Sequence, residues 1–546
     1  MKRNHIALML TAATTTPLWV GCSAEKKEEK RPNIIIMMAD DHTRQAMSCY
    51  NNKLIETPNL DRIAREGMLF NNCYVANSIS GPSRACIITG KYSHKNGFTD
   101  NGKVFNGDQQ TYPKLLQQAG YETAVIGKWH LTSLPQGFDH YEILIGQGDY
   151  YNTNFIVNGT KTPSKGYVTD VITDKTISWL DGRADKEKPF ALMYYHKAPH
   201  RNWLPAQRHM GKYNDTVFPE PENLFDDYAT RGRAAREQEM ELDRHFREGW
   251  DLKLVTPEEL AKENPELIYA EANEENNGPW KVRNGDARSY QSVYNRMSPE
   301  EKATWDKTLE KRRKEYANNK MTREELVRWK YQQYMQDYCS TVAALDENVG
   351  RLLDYLEKTG EIDNTIIVYT SDQGFYLGEH GWFDKRFMYE ESFSTPLLVR
   401  YPKKIKAGSQ TDALAINIDF APTFLDYAGV PIPQDMQGKS LRPVLESAES
   451  GGPKEWRDAV YYHFYEYPSE HAVKRHVGIR TDKYKLIHFY NDIDEWELYD
   501  MENDPAEMRN LANDAEYAAV LSKMKQRLKE LQDEYEDTDP NEGYTI

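Results

Sequence analysis

Four stretches of the chain share one pattern: a short unbroken apolar run that ends in polar, chemically capable side chains. They are PNIIIMMADD (Pro32–Asp41), ETAVIGKWH, PFALMYYHKAPH and DNTIIVYTSDQG (Asp363–Gly374). A run with no polar alternation predicts a strand buried on both faces, as in a parallel sheet. Amphipathic stretches precede several of these runs. TPNLDRIAREG reads as a helix closed by Gly67, and TYPKLLQQAGY and VAALDENVGRLLDYLEKTG read as two more. Helix-then-strand recurrence predicts an α/β fold, with a large mostly parallel or mixed sheet sandwiched by helices. In such sheets ligands gather beyond the carboxyl ends of the strands. That rule places Asp40, Asp41, Lys128, His130, His200, Asp372 and Gln373 near one another.

The pattern changes twice. Residues about 205–330 are dense in charge, as in RGRAAREQEMELDRHFREGWD, and read as a helical insertion whose charges mostly face solvent. Trp203, Trp280 and Trp329 keep open a contribution of this region to a substrate rim. After about 450, AVYYHFYEY, VGIRTDKYKLIHFY and EWELYD read as antiparallel strands, and VLSKMKQRLKELQDEY as a terminal amphipathic helix. The expected organisation is a catalytic domain over 32–450 and a smaller antiparallel-sheet subdomain over 451–546.

The first 22 residues carry a basic tip and a short apolar stretch with no stop-transfer run after it, which reads as an export signal. WVGC resembles a bacterial lipobox ending at Cys22, so the mature N-terminus is either lipid-anchored or simply cleaved, with 23–31 as a charged tether. The expected location is the periplasm or the outer membrane, with contact to membrane only through such an anchor. No later run reaches the roughly 20 apolar residues of a membrane span. If Cys22 carries lipid, Cys49, Cys73, Cys86 and Cys339 remain, and their spacing fits no zinc signature. Cys86 reads as a small buried hydrophobe. A net charge of -16 opposes non-specific nucleic-acid binding, though a local basic pocket can still receive an anion.

The densest chemistry lies in SISGPSRACIITG, Ser78–Gly90. Pro82 suits a first helical turn, and Ser80 could be its cap. The same helix start offers free N–H groups to an anion, and Arg84 adds a fork of donors for tetrahedral oxygens. An ordinary serine is a weak nucleophile without a base or a chemical change, and no G-x-S-x-G elbow is present.

Ser80-Gly81-Pro82-Ser83-Arg84, followed by Thr89-Gly90, resembles the (Cys or Ser)-x-Pro-Ser-Arg signature of the type I sulfatase family in the alkaline-phosphatase-like superfamily. The resemblance runs from Pro32 into the C-terminal subdomain. It implies that Ser80 is oxidised to formylglycine (3-oxoalanine) by an anaerobic sulfatase-maturating enzyme. The hydrated aldehyde carries two hydroxyls on one carbon: one attacks sulfur, and the other later collapses the adduct. It also implies a divalent cation, calcium first and magnesium as the alternative, on Asp40, Asp41, Asp372, Gln373 and modified residue 80. Gln373 stands where relatives often have Asn or His. Arg84, Lys128 and Lys385 would face transition-state oxygens, with His130 beside the hydrate. His200 would be the leaving-group acid, alone or with Lys385, and His196 is its rival in the same stretch. His380 would contact the hydrate or the substrate.

A narrower resemblance is to N-acetylglucosamine-6-sulfatases acting on glycosaminoglycans, carried by PQGFDHYEILIGQGDYYNTNFI and DKRFMYEESFSTPLLVRYPKKI. It implies the 6-O-sulfate of N-acetyl- or N-sulfo-glucosamine from heparan or heparin as substrate. A keratan or mucin sugar and, further off, a phosphate or phosphonate ester are the alternatives. His463, Arg475 and His476 are the candidate sugar contacts, unless they simply pack the antiparallel sheet. FYEYPSEHAVKRH is the candidate specificity lip.

Overall fold

The computed structural model describes Met1 and residues 30–51, 53–266, 284–318, 320–448 and 452–537. The export signal, the Cys22 motif, nearly all of the tether and Trp280 lie outside the described residues.

The four apolar runs are all strands of one ten-stranded sheet. Its order is Ser409–Thr411, Met68–Phe70, Leu397–Arg400, Thr365–Ser371, Asn33–Ala39, Phe190–Tyr195, Glu122–Gly127, His140–Leu144, Asn154–Val157 and Thr160–Pro163. The five strands from Thr365–Ser371 to His140–Leu144 are parallel. Leu397–Arg400 and the pair beyond His140–Leu144 run antiparallel, so the sheet is mixed.

Asn33–Ala39 is central, and it explains why no polar alternation was visible. Ile35, Met37 and Ala39 point into one core, with residues of the helices Pro58–Glu66, Val168–Gly182 and Arg323–Lys358. Ile34, Ile36 and Met38 point into the other, with the helices Ser80–Thr89, Tyr112–Gln118 and Phe420–Ala428. Both faces are dry, so every position must be apolar.

The C-terminal unit is a four-stranded antiparallel sheet of Ala459–Phe464, His476–Thr481, Tyr484–Phe489 and Glu495–Asp500, in that order. The helix Ala518–Glu534 supplies Met524, Leu528 and Leu531 to its core, and Phe387, Met388, Tyr389 and Phe393 enter that core from the main domain. The two units therefore share a dry seam.

The insertion contains the helix Pro299–Ala317 and the start of the 36-residue helix Arg323–Lys358. Both open on a capping box, Ser298 with Glu301 and Thr322 with Glu325. The second helix continues past the insertion onto the main sheet. There the Tyr338 hydroxyl donates to Asp41 O at 2.7 Å and accepts from Thr43 N at 3.1 Å. The charges of the insertion are not all solvated. Asp337 is buried with Arg312, at 2.8 Å to each oxygen, and with Lys253 at 2.6 Å. Trp203 is a core residue against Phe246 and Tyr334, and Trp329 stacks on Tyr316. Both tryptophan side chains pack structure, and Trp203 meets the site described below only through its backbone N, which donates to His200 O at 3.3 Å.

Candidate active site

The ladder continues just beyond the parallel strands and draws their ends together. Asp40 N donates to Ala198 O at 3.2 Å, Asp372 N to Ala39 O at 3.2 Å and Lys128 N to Tyr195 O at 2.9 Å. Gly127 makes the last approach feasible. Its φ is 115°, and a Cβ there would lie 1.7 Å from Tyr195 O.

Ser80 is the first residue inside its helix; Ile79 holds the cap position, and no side chain caps it. The capping reading of Ser80 therefore fails. Its hydroxyl instead donates to Asp40 Oδ1 at 3.2 Å. One turn on, Arg84 donates through Nε and Nη2 to Asp372 Oδ2 at 3.0 and 2.9 Å, and through Nη1 to Lys128 O at 2.5 Å. Lys128 Nζ donates to Asp40 Oδ2. Lys385 Nζ reaches Asp41 Oδ1 at 2.6 Å, where Gln373 Nε2 also donates at 2.5 Å. Three buried cations are thus each hydrogen-bonded to one carboxylate around Ser80, and Arg84 Nη2 also lies 3.8 Å from Asp40 Oδ1.

Whether a divalent cation fits is answered by two atoms. Asp41 Oδ2 and Gln373 Oε1 are buried without a hydrogen-bond partner. Orphaned buried oxygens are costly, and a hard cation is what such oxygens satisfy. Ligand atoms of Asp40, Asp41 and His200 also lie within 4.8 Å of one another. Burial, with Asp40 and Asp372 close by, lifts the Asp41 carboxyl to about 7 against the pull of Lys385. For Asp40, burial is outweighed by Lys128, His200, Arg84 and Lys385, which hold it well below the usual carboxylate range. The donor set fits calcium or magnesium through oxygen.

His200 Nδ1 donates to Arg201 O at 2.7 Å, which leaves Nε2 facing Asp41 Oδ2 at 3.7 Å. Burial, then Lys128, holds its pKa well below the ordinary histidine value. His130 accepts from Gln147 Nε2 at 3.1 Å through Nε2, so its proton sits on Nδ1, which is buried without a partner. The rival His196 is a buried ring edge-on to Tyr194, and burial drops its pKa to about 3. It is bonded to none of the site groups.

Four expected contacts are not bonded to the site groups. His380 is fully buried against Trp382 and Tyr389, with Nδ1 on Asp226 at 2.8 Å. Aromatic packing, not the pocket, takes its ring. His476 is enclosed by Phe387, Phe464 and Phe489, with bonds to Lys474 O and Met388 N. His463 bonds Asp537 at 2.6 Å and Tyr490 at 2.5 Å and stacks on Tyr465. Both pack the sheet. Arg475 is half-buried, with Nε unpartnered and its carbonyl taken by Tyr490 N; it is bonded to no site group.

The candidate lip does reach the site, through other residues. Glu470 Oε1 lies 3.8 Å from Arg201 Nη1, and His471 Nε2 lies 3.4 Å from Asp384 Oδ2. Asp384 pairs with Arg386, which lies 3.8 Å from Glu466. Glu466 Oε1 accepts from Asn101 N at 3.4 Å, and Asn101 Oδ1 accepts from Gly81 N at 3.1 Å, next to Ser80. From the insertion, Asp251 grips Arg201 with two bonds of 2.6 Å. A chain of polar contacts from several distant segments thus rims the pocket. Asp384 and Arg386 flank Lys385 in sequence, which was a usable signal. Lys197, also missed, stands inside the His196–His200 stretch itself; burial, with Lys128 beside it, lowers its ammonium to about 8.

The profile of the family described as Sulfatase matches residues 32–430. The chain belongs to the sulfatase family. Its reaction is the hydrolysis of a sulfate ester. A second profile, N-sulphoglucosamine sulphohydrolase C-terminal, matches residues 378–534 of this sulfatase. An N-acetylglucosamine-6-O-sulfatase of Bacteroides thetaiotaomicron is 58% identical over 550 residues, covering 100% of this chain and 94% of that protein. An arylsulfatase of Clostridium perfringens is 26% identical and covers 94% of this chain and 96% of its own. A solved structure in complex with its substrate, D-glucosamine-2-N,6-O-disulfate, superposes with a TM-score of 0.88 at 60% identity, over 94% of this chain and 100% of that one.

Proposed function

We propose that this sulfatase removes the 6-O-sulfate of an N-acetyl- or N-sulfo-glucosamine unit of heparan or heparin. The observation that carries the chemistry is the ring of Arg84, Lys128 and Lys385 pinned by Asp372, Asp40 and Asp41 around Ser80. The sugar reading is supported by the relative named for that activity and by the glucosamine disulfate bound to its structural neighbour. When present, formylglycine at residue 80 supplies a hydrated aldehyde as nucleophile, and a calcium ion supplies a Lewis acid.

The chain's own residues do the rest. Arg84, Lys128 and Lys385 present fixed positive charge to the sulfate oxygens, and their carboxylate partners hold them in place before substrate arrives. His130 offers its free Nδ1–H. His200 keeps Nδ1 on Arg201 O and so directs Nε2 at the departing sugar oxygen. Burial keeps it neutral until an anion enters; the anion favours the protonated ring, which then gives its proton to the leaving oxygen. Asp384, Arg386 and His471 stand where sugar hydroxyls can be held. Export and attachment through Cys22, with maturation by the anaerobic type of enzyme, complete the proposal.

The test is purified protein whose residue 80 has been verified as formylglycine by peptide mass, incubated with 6-O- and 3-O-sulfated glucosamine. Release of sulfate from the 6-position alone is expected. Verified enzyme that spares the 6-sulfate while cleaving the 3-sulfate refutes the substrate assignment.

A further inference from the structure

Lys197 differs from the other cations of the pocket. Arg84, Lys128 and Lys385 each bond a carboxylate, and Arg386 pairs with Asp384. Lys197 has no carboxylate within ion-pair distance among the described residues, yet it is only 5% exposed. Among the described residues the one hydrogen bond of its ammonium is to the backbone carbonyl of Gln147, at 3.1 Å. The Tyr150 ring lies 5.0 Å from Nζ. An ammonium has three N–H donors, so two are left without acceptors. A carbonyl and a ring face are neutral partners, and a buried charge without a counter-ion is strongly unfavourable.

Its surroundings show where the counter-ion comes from. Gln147, which holds the ammonium, also donates to His130. Tyr150, under the ammonium, donates through its hydroxyl to His200 O at 2.6 Å. The charges that act most strongly on Lys197 are those of Lys128, Asp40, Asp149 and Asp41. The side chain therefore stands between the His130 and His200 walls, beside the carboxylates that surround Ser80.

We propose that Lys197 is a further sulfate-binding residue, whose ammonium takes an oxygen of the anion seated over Ser80. The inference rests on the sulfate-ester reading of that site and adds a donor to it. The four-carbon stem lets Nζ keep Gln147 O with one N–H and turn another to the ligand.

The test uses the formylglycine-bearing enzyme with Lys197→Met and Lys197→Arg. Two quantities are read: KM for 6-sulfated N-acetylglucosamine and the competitive inhibition constant of inorganic sulfate, with thermal midpoints beside them. For Lys197→Met both constants rise about tenfold or more, the equivalent of one charge-assisted hydrogen bond. Its midpoint without sulfate holds or rises, because an unpaired buried charge has gone. Lys197→Arg recovers most of the sulfate affinity. An unchanged sulfate constant in Lys197→Met overturns the proposal. So does equal damage in both variants with a fallen midpoint, which marks a structural lysine. If the wild-type enzyme spares every 6-sulfated glucosamine, the sugar assignment fails, and the sulfate constants still decide Lys197.

Discussion

Asp251 ties the insertion to Arg201, the residue beside His200, and replacing it tests that tie. Arg201 is 8% exposed in its side chain and donates two charge-assisted bonds of 2.6 Å to Asp251, which also accepts from Arg247 N at 2.8 Å. Asp251→Asn leaves a buried guanidinium with Glu470 as its remaining carboxylate, 3.8 Å away and itself half exposed. Removing one partner of a buried ion pair costs about 3–5 kcal/mol. Glu470 offsets a little of this, so about 3 kcal/mol is expected, a fall in thermal midpoint of about 3 °C in a chain of this size. Because Arg201 O holds His200 Nδ1, kcat falls along with stability, about tenfold if the ring loses one-third of the rate advantage of a placed general acid on a logarithmic scale. The decisive measurement is a double-mutant cycle with Arg201→Met. Once both charges are gone the double variant is more stable than Asp251→Asn alone, by about 2 kcal/mol or more. Strict additivity of the two single losses, or a single variant with unaltered midpoint and kcat, refutes the reasoning.

Three other outcomes are expected. Ser80→Ala abolishes turnover while the thermal midpoint barely moves, since the hydroxyl makes one bond of 3.2 Å; turnover above about a thousandth of wild type contradicts its role as precursor of the nucleophile. Exhaustive chelation removes activity and lowers the midpoint, and calcium restores both, because a cation at a hundred times its Kd stabilises by about 2.7 kcal/mol; undiminished turnover after chelation speaks against the cation. Glu507 is buried between Lys485 and Glu390 N, and burial raises its carboxyl from 4.5 to about 7 against Lys485. A raised folded pKa contributes stability that is complete below 4.5 and lost as pH rises through about 7, so the midpoint falls between pH 5 and 8, and Glu507→Gln flattens that fall. A variant as steep as wild type removes Glu507 from the explanation.

How far the site was legible depended on where each residue stood relative to a periodic element. Asp40, Asp41, Lys128, His200, Asp372 and Gln373 follow strands whose apolar runs are long enough to locate their ends, and parallel topology then brings the ends together. The mixed edges of the sheet follow from pairings that no local pattern reveals. His463 and His476 lie in strands of a sheet covered on both faces, so alternation carries no information on which way they point. His380 has a φ of 57° inside a glycine-rich loop, and its direction is set by Trp382 and Tyr389, aromatic partners that only tertiary packing supplies. The lip was visible as a segment rich in Glu, His and Tyr, but which of its residues face the pocket depends on pairing with Arg201 and Asp384, far away in sequence. Asp251 stands in the insertion and shows no local sign of its bond to Arg201.

The helix Arg323–Lys358 has a mechanical consequence. At 1.5 Å per residue it is a strut roughly 54 Å long, packed along most of its length, with Tyr338 near its middle holding Asp41 O. Tilting it by one degree about that midpoint displaces each tip by about 0.5 Å and leaves the tyrosine hydroxyl almost still. A small tilt of the insertion is therefore geared down before it reaches the carboxylate, and Asp41 keeps its alignment while the outer surface gives way.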